Sequence, residues 1–513
     1  MNSGCGRIMN SVNVLVVGAG PTGLTLAYDL ARRGVSVRII DRDVKFTTAS
    51  RGKAGIQPRT QEVFDDFGVV DQVLRAGTTR LPFRRYHRDR IVSEAIPYEA
   101  NDPRPDAPYR RLLFVRQSLV EGILRDRLAE TGHTVGSGVE LLRFEQGAEG
   151  VTATLGSAEG AEEITADYLV GCDGGASTVR KSLGLEFRGF TEEDRKLLVG
   201  DVEVDGLEPD AWYQWYDMER GVLLLCPLAD TGTWQIQASP PVDADGLPMG
   251  PSLEALQASV DRITGMPIRL GNPTWMSTMK RNVRMVDTLR VDRVFLAGDA
   301  AHVHPVTAAL GANTGVQDAY NLSWKLARVL GGAEDGLLDT YERERVPIAE
   351  WTLKTACDAG DLIVEAMVAG EGGAEKGLTE DSLQLGLHYR EGPLSRDLVG
   401  RGALRAGDRA PDSPCPGAAD EAATLFDVFR GPHLTLVGVG ASTAAALGAV
   451  ADRRRGDVRT VLLTEQPEAY AGPDDRLVLV RPDGYIGLIA PADDPQAVLD
   501  YLATVDSFVL VED

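Results

Sequence analysis

Short apolar runs on either side of a helix-forming segment set the pattern at the start of the chain. Residues 14–17 form one run, which ends at Gly18, and residues 35–40 form a second run, which ends at Asp41. The residues between the two runs are largely good helix formers. Continuous apolar runs bounded by turn residues are typical of buried parallel strands. The pattern therefore predicts a strand, a tight turn, a helix and a second strand that ends in an acid.

The tight turn has a glycine pattern that favours dinucleotide binding. In G-x-G-x-x-G the first glycine allows the turn, the second lets the backbone approach a pyrophosphate, and the third permits close packing of helix on strand. The helix N-terminus offers N–H groups to that pyrophosphate, and a terminal acid accepts hydrogen bonds from a ribose. A purely structural turn is the alternative, and the motif alone does not separate FAD from NAD. The candidate residues are Gly18, Gly20, Pro21, Thr22, Gly23, Asp41 and Arg42.

The pattern changes in the middle of the chain, where residues 185–293 form short alternating segments. Such segments predict an antiparallel sheet. One of them, residues 211–216, reads AWYQWY. Trp212, Trp215 and Tyr216 could line an aromatic pocket for a planar ligand, although aromatic alternation is more often plain sheet packing.

Later segments return to the α/β pattern. Residues 294–297 are another buried strand, which ends in Gly298 and Asp299, and a long helix is predicted from about Thr314. Residues 424–513 predict a separate small α/β unit with strands in LTLVGV, RTVLLT, RLVLVRP and YIGLIA.

Composition and charge narrow the function. The 513 residues carry a formal net charge of −23, which argues against nucleic-acid binding because such a surface repels phosphate backbones. Anionic cofactors must then be held by local features. Arg51 and Lys53 are a candidate phosphate clamp, and two solvated surface charges are the equal alternative.

Cysteine and histidine positions do not predict a metal site. The five cysteines are scattered and contain no C-x-x-C, which fits a reducing cytoplasm rather than a disulfide framework or zinc site. His302 and His304 form H-x-H, but further ligands are not evident nearby, so we expect them to pack or hydrogen-bond. No apolar run approaches membrane-spanning length.

Separated segments of the chain together resemble one family. They are GAGPTG at 18–23, CDGGASTVR at 172–180, AGDAAHVHP at 297–305, AGDRAPD at 406–412 and LVRPDGYIG at 479–487. In order and spacing the chain resembles the FAD-dependent aromatic hydroxylases, the group around p-hydroxybenzoate hydroxylase and phenol hydroxylase. It is most similar to the subgroup that acts on aromatic polyketides and carries a thioredoxin-like C-terminal domain.

The resemblance implies an α/β fold with an α+β middle domain. It divides the chain into a Rossmann-like FAD-binding domain at 1–184, a substrate-binding sheet domain at 185–290, a return to the FAD-binding domain with long helices at 291–400, and a thioredoxin-like domain at 401–513.

The resemblance also implies residue roles. The fingerprint glycines would hold the FAD pyrophosphate and Asp41 the adenosine ribose. Asp299 would bind the ribityl chain, and the Asp173-Gly174 pair would be associated with both FAD and NAD(P)H. Other FAD contacts would come from Arg51, Lys53 and Gln117. The isoalloxazine ring would be faced by Pro305 and by the backbone of Gly311, Ala312 and Asn313.

One loop departs from the family pattern. Members often read P-x-G-G-Q-G after the histidine, whereas residues 306–311 here read VTAALG. Alanines at 308 and 309 replace glycines, so this loop is expected to be stiffer, and flavin movement rather than flavin binding is what the change affects.

The activity that the resemblance implies is NAD(P)H- and O₂-dependent hydroxylation of an aromatic, polycyclic polyketide-type substrate through a flavin C4a-hydroperoxide. Baeyer–Villiger insertion or epoxidation on the same scaffold is an alternative, and a non-catalytic flavin- or ligand-binding protein is another. The expected partners are the aromatic substrate and O₂, without nucleic acid or membrane, in a cytoplasmic homodimer.

Overall fold

The computed structural model of the protein describes residues 10–46, 53–98, 101–229, 231–305, 307–400, 402–415, 424–454 and 456–508. Within these ranges no helix is both long enough and apolar enough to cross a membrane. The described chain folds into a parallel-sheet unit, an antiparallel sheet and a smaller C-terminal α/β unit.

The first part of the chain forms the strand, turn, helix and strand that its apolar pattern predicts. Its elements are β1 (Asn10–Val17), α1 (Pro21–Arg32), β2 (Val37–Asp41), β3 (Lys53–Ile56), α2 (Pro58–Asp66), α3 (Val70–Arg75), β4 (Gly77–Thr78), β5 (Phe83–His87), β6 (Arg90–Ala95), β7 (Leu113–Arg116), α4 (Gln117–Ala129), β8 (Val135–Ser137), β9 (Glu140–Gly147), β10 (Gly150–Ser157), β11 (Gly160–Gly171) and α5 (Thr178–Ser182).

The middle of the chain is mostly strand and ends in two long helices. Its elements are β12 (Arg188–Asp205), β13 (Trp212–Asp217), β14 (Gly221–Pro227), β15 (Thr233–Ala238), α6 (Leu253–Thr264), β16 (Arg269–Met285), β17 (Arg290–Val291), β18 (Val294–Leu296), β19 (His302–Val303), α7 (Gly311–Leu330) and α8 (Asp339–Ala369). Helix α7 begins at Gly311, slightly before the predicted start.

The C-terminal unit contains strands in all four predicted segments. Its elements are β20 (Arg396–Asp397), α9 (Leu425–Phe429), β21 (Leu434–Val439), α10 (Ala444–Arg453), β22 (Val458–Leu463), β23 (Arg476–Val480), β24 (Ile486–Pro491) and α11 (Pro495–Asp506). The strand order among the described residues is β20-β24-β23-β21-β22.

The parallel sheet brings the carboxyl ends of distant strands together. Its order is β17-β18-β11-β1-β2-β8, and β1 is parallel to both β11 and β2 while β18 is parallel to β11. Strand β1 is buried because residues 14–17 are apolar and covered on both faces. Gly18, Cys172 and Ala297 directly follow β1, β11 and β18. They therefore lie at one edge of the sheet, where ligands bind in open α/β sheets.

The antiparallel sheet uses its two faces differently. Its order is β19-β16-β12-β15-β14-β13-β5-β6, and one face packs against α6 in an apolar core. Strands β5 and β6 belong to this sheet although they precede residue 185. The sheet is therefore not confined to the predicted 185–290 segment, because a strand pairing between β5 and β13 crosses that boundary.

The C-terminal unit inserts charged side chains between α7 and α8. Arg481, in the turn after β23, donates two hydrogen bonds to Glu344 at 2.5 and 2.9 Å, and Lys325 donates to the same carboxylate at 2.7 Å. All three side chains are buried. Burial alone raises the pKa of Glu344, but Arg481 and Lys325 outweigh burial and lower it. The unit is thus joined to the helices by buried, paired charges.

Arg481→Met should destabilise the protein by about 3–5 kcal/mol, because it leaves Glu344 buried without its main partner. The matched control is Arg405→Met, which removes a largely exposed ion pair with Asp397 at 2.7 Å and should cost at most about 1 kcal/mol. Urea unfolding followed by tryptophan fluorescence measures both variants. Equal effects of the two substitutions would show that the buried cluster does not join the units.

Candidate active site

A cavity of about 970 Å³ lies between the parallel sheet and the antiparallel sheet. One part is lined by Gly18 and Gly20 of the glycine turn and by Asp41 at the end of β2, and another part by Trp212 and Tyr216 on β13. Residues of the loop before α7 line the same cavity. A single space therefore connects the predicted nucleotide-binding turn with the antiparallel sheet.

Each glycine of the fingerprint has a separate steric reason. Gly18 has φ +103°, and a Cβ atom there would overlap the carbonyl of Cys172. A Cβ on Gly23 would overlap the carbonyl of Gly18. At Gly20, by contrast, no described atom lies within 4 Å of a Cβ position, so a side chain would enter the cavity. Gly20 precedes α1, whose first N–H groups have no side-chain cap and are available to an anion.

The carboxylate of Asp41 is fixed by backbone donors. One oxygen accepts from the N–H of Ala19 at 2.8 Å, and the other accepts from the N–H of Asp43 at 2.9 Å. Asp41 and Arg42 both line the cavity. The carboxylate is thus held at the end of β2 with further lone pairs available for a diol.

Asp173 and Gly174 form another part of the cavity wall. One Asp173 oxygen accepts from the Ser177 hydroxyl at 2.5 Å, and the other accepts from the N–H of Thr178 at 2.6 Å. Asp173 therefore ties down the start of α5. Gly174 has φ +78°, a conformation in which glycine is preferred. Both residues line the cavity.

Asp299 presents a carboxylate that the described residues leave without a hydrogen-bond partner. Its side chain is accessible from the cavity, yet it is surrounded by protein. This burial raises its pKa, against an opposing effect of His302. A poorly solvated carboxylate without donors is costly, and several hydroxyl groups of a bound ligand would satisfy it.

The loop before α7 contains two alanines in left-handed backbone conformations. Ala308 has φ +59° and Ala309 has φ +53°. The side chain of Gln57 donates to the Ala308 carbonyl at 2.7 Å, and Asn313 donates to the Ala309 carbonyl at 2.6 Å. The N–H of Gln57 in turn donates to Asn313 at 2.9 Å. Since left-handed alanines are strained, these bonds hold a loop that would otherwise relax.

Asn313 itself has a different position from its neighbours. Gly311 and Ala312 line the cavity, as does Pro305, whereas Asn313 is buried behind the loop. The side chain of Asn313 is used in the clamp on the loop, and the prediction that its backbone faces the flavin ring stays a prediction. Gln57 was not recognised from the sequence, since its partners lie some 250 residues away.

His302 belongs to a buried network. Its Nε2 lies 2.7 Å from Asp318, and Arg345 donates to the other oxygen of the same carboxylate at 2.7 Å. Burial raises the pKa of Asp318, but Arg345 and His302 outweigh burial and lower it. Among the described residues no cluster of His, Cys, Asp and Glu could hold a metal ion. His304 lines the cavity nearby, and burial lowers the pKa of His304 well below its ordinary value, so its ring is neutral.

The aromatic residues of β13 alternate between the two faces of the sheet. Trp212 and Tyr216 line the cavity, but Trp215 packs with Tyr86 and Tyr213 in the core against α6. The assignment of Trp215 to the pocket is wrong, because successive side chains of a strand point to opposite faces. Tyr216 donates to the side-chain carbonyl of Gln214 at 3.0 Å on the cavity side.

The other predicted FAD contacts are Gln117, Arg51 and Lys53. Gln117, the first residue of α4, lines the cavity, but its amide donates to Glu121 at 2.8 Å. Arg51 lies outside the described residues, and Lys53 is described only as the start of β3.

Family comparison decides the class of protein. The family model for the FAD binding domain matches residues 11–356, and the model for the C-terminal domain of aromatic-ring hydroxylases matches residues 404–505. The chain belongs to the FAD-dependent aromatic-ring hydroxylases. It is an enzyme, with FAD as cofactor and NAD(P)H as co-substrate.

Relatives of the hydroxylase match over almost its whole length. A flavin-dependent monooxygenase of Mycobacteroides abscessus is 40% identical over 96% of this chain and 100% of the relative. The 6-methylpretetramide 4-monooxygenase of Streptomyces rimosus is 34% identical over 92% of this chain and 90% of the relative. The structure of aklavinone-11 hydroxylase with FAD and aklavinone superposes with a TM-score of 0.81, at 29% identity over 98% of this chain and 100% of that one.

The hydroxylase has features that fit FAD. The open space beside Gly20 is a cradle that a Cβ atom would fill, and α1 aims its free N–H groups into it. Asp299 supplies an acceptor that lacks donors among the described residues, which suits a polyol chain. These two features lie along one cavity with the fixed carboxylate of Asp41. The residues present are therefore compatible with an extended dinucleotide.

Asp299→Asn should weaken FAD binding at least about tenfold, because a charge-assisted acceptor becomes a neutral amide. The cofactor-free variant should be as stable as the wild type or more stable, since a poorly solvated charge without hydrogen-bond donors is removed. The pKa of Asp299 is raised in the folded protein, so the folded state holds this proton more tightly than the unfolded state. The cofactor-free wild type should therefore lose stability as the pH rises through the pKa of Asp299, and the variant should not.

FAD titration and thermal unfolding from pH 4 to 8 check these expectations, with Asp292→Asn as the control. Asp292 is exposed, and asparagine readily adopts its φ of +51°. Unchanged FAD affinity in Asp299→Asn would contradict the assignment.

Asn313→Ala should destabilise the hydroxylase by about 3 kcal/mol or more, because it leaves the N–H of Gln57 and the carbonyls of Gly55 and Ala309 without partners. Asn282→Ala, which removes one part-buried bond with Thr191, should cost about 1 kcal/mol. Urea unfolding and the rate of FAD release compare the two variants. A release rate that is the same in both would show that the clamp does not hold the cofactor loop.

Proposed function

We propose that this enzyme hydroxylates a polycyclic, polyketide-type aromatic substrate with NAD(P)H and O₂. The observation that carries the proposal is the single cavity of about 970 Å³, which joins the FAD-compatible turn to the aromatic and apolar wall of the antiparallel sheet. This volume is at the upper end for small-molecule sites, as FAD and a multi-ring substrate together require. The polyketide class is supported by the named activities of the 6-methylpretetramide and aklavinone enzymes.

The proposed cofactor contacts follow the cavity from end to end. Free N–H groups at α1 bind the pyrophosphate, Asp41 the adenosine ribose, and Asp299 the ribityl hydroxyls. The ring system lies against the start of α7, where the helix dipole favours negative charge. The complete set consists of Gly18, Gly20, Pro21, Thr22, Gly23, Asp41, Arg42, Arg51, Lys53, Gln117, Asp173, Gly174, Asp299, Pro305, Gly311 and Ala312, with Asn313 in a supporting position.

The protein's part in the reaction is binding, orientation and exclusion of water. When bound, FAD accepts a hydride from NAD(P)H and activates O₂ for transfer of one oxygen atom. Leu224, Val199 and Met279 line the substrate end and limit the entry of water. Trp212 and Tyr216 present ring faces and edges that can hold a planar substrate. The neutral ring of His304 adds no charge near the α7 terminus.

The proposal includes a homodimer in the cytoplasm. Cys172, Cys226, Cys357 and Cys415, the cysteines within the described residues, form no disulfide, which is usual for proteins of a reducing compartment. Light scattering of the purified protein measures the association state.

Purified enzyme should oxidise NAD(P)H faster in the presence of a tri- or tetracyclic aromatic polyketide, and the product should gain one ¹⁸O atom from ¹⁸O₂. Mass spectrometry measures the label, and NMR of the product distinguishes a phenol from an ester or an epoxide. Gly20→Val, whose side chain would fill the pyrophosphate space, should lack FAD and activity. Gly448→Val on α10, where the Cβ position is also open, is the control. A FAD-loaded protein that no aromatic compound stimulates would refute the proposal.

A further inference from the structure

Two glutamines lie side by side on the cavity face of the antiparallel sheet. They belong to β15, which pairs with β12 on one side and β14 on the other. Trp234 and Ile236 of the same strand point into the core against α6. Gln235 and Gln237 therefore point the other way, and both line the cavity. Their strand is central, so the pair lies in the floor of the cavity rather than at its rim.

The two glutamines have different neighbours: Gln235 lies opposite the buried Asp201 on β12 and Cys226 on β14, whereas Gln237 lies between apolar residues. Gln237 lies opposite Val199 on β12 and opposite Leu224 on β14. Both neighbours line the cavity, with exposed fractions of only 6% and 9%. The free groups of the two amides are open to the cavity, where a ligand can pair with them.

The pair can satisfy only half of its own hydrogen-bonding groups. The Gln237 amide nitrogen donates to the Gln235 side-chain carbonyl at 3.2 Å. Across the described residues, the Gln235 amide nitrogen and the Gln237 side-chain carbonyl have no hydrogen-bond partner. Rotation of both amides by 180° reverses the direction of the bond but leaves the same result. In either arrangement one amide keeps both N–H donors free and the other keeps its carbonyl free as an acceptor.

We propose that Gln235 and Gln237 determine specificity by binding a neutral phenol hydroxyl of the aromatic substrate. The phenol donates its O–H to the free side-chain carbonyl and accepts from the free amide N–H. A phenolate or a carboxylate offers acceptors only, and would place negative charge against the amide carbonyl. The inference rests on the proposed function. It adds that the substrate carries a protonated hydroxyl at the sheet end, remote from the ring that lies against the α7 terminus.

Binding of two ligands that differ in one group tests the pair. The ligands are 2-hydroxyanthraquinone and 2-methylanthraquinone, which share a ring system and differ by a hydroxyl against a methyl group. Their Kd values for the FAD-loaded protein are measured by isothermal titration calorimetry, at a pH where the hydroxyl is protonated. The wild type should prefer the hydroxy compound. The double variant Gln235→Met and Gln237→Met should bind that compound about three- to tenfold more weakly and the methyl compound no more weakly.

Controls separate this effect from general damage to the fold. Gln496→Met, on the exposed side of α11, removes a glutamine far from the cavity and should leave both Kd values unchanged. FAD content and thermal unfolding are measured for every variant, and the single substitutions replace the double variant if it loses FAD. Methionine is chosen because it is unbranched and close to glutamine in length.

The outcomes distinguish the pair from the proposed function. Equal loss of affinity for both ligands, or an unchanged preference in the variants, overturns the role of the pair. A wild type that binds both compounds without preferring the hydroxyl also overturns it, while the proposed function stands. A wild type that binds neither compound and is stimulated by no polycyclic aromatic refutes the proposed function and this inference together.

Discussion

The buried carboxylate of Asp318 is the group on which the geometry of the site depends. It lies in α7, and it accepts a hydrogen bond from the N–H of Gly298 at 3.1 Å as well as those from His302 and Arg345. Gly298 directly precedes Asp299, so one carboxylate positions the end of β18, the histidine loop and α8 relative to one another. Both oxygens of Asp318 accept hydrogen bonds, and the side chain is not exposed to solvent. A change of partners would therefore leave a buried charge unpaired, at a large cost in free energy.

Helix α8 connects this network to the C-terminal unit through adjacent residues. Arg345 points to Asp318 and also donates to the Tyr389 hydroxyl at 2.8 Å, while Glu344 beside it binds Arg481. Two separate family models match residues 11–356 and 404–505, but the charged turn of the second region completes the buried face of α8. Because Glu344 and Arg345 are adjacent in α8, a displacement of that turn would be transmitted to Asp318 and so to the cavity wall.

Sequence reasoning was most informative where a backbone requirement is local. The glycines at 18, 20 and 23 and the pair Asp173-Gly174 could be recognised because their backbone requirements leave a mark on nearby residues. It failed for Trp215, because the strand register that decides which face a side chain occupies depends on partners elsewhere. Gln57, Asp318 and Arg345 were also missed, since each is defined by contacts between distant segments, and β5 joined its sheet across an assumed boundary for the same reason.

The left-handed alanines restrict substitution at a distant position. A Cβ atom on Gly55 would lie 2.5 Å from the Cβ atom of Ala309, so a methyl group fits on one side of this contact only. Loss of the methyl at 309 would remove the closer of two contacts at 55 and leave Leu112 Cδ1 at 3.1 Å, whereas the reverse order of substitutions passes through a clash. Substitutions at these two positions are therefore expected to be correlated in evolution. Homologues with a larger residue than glycine at 55 should have a glycine at 309.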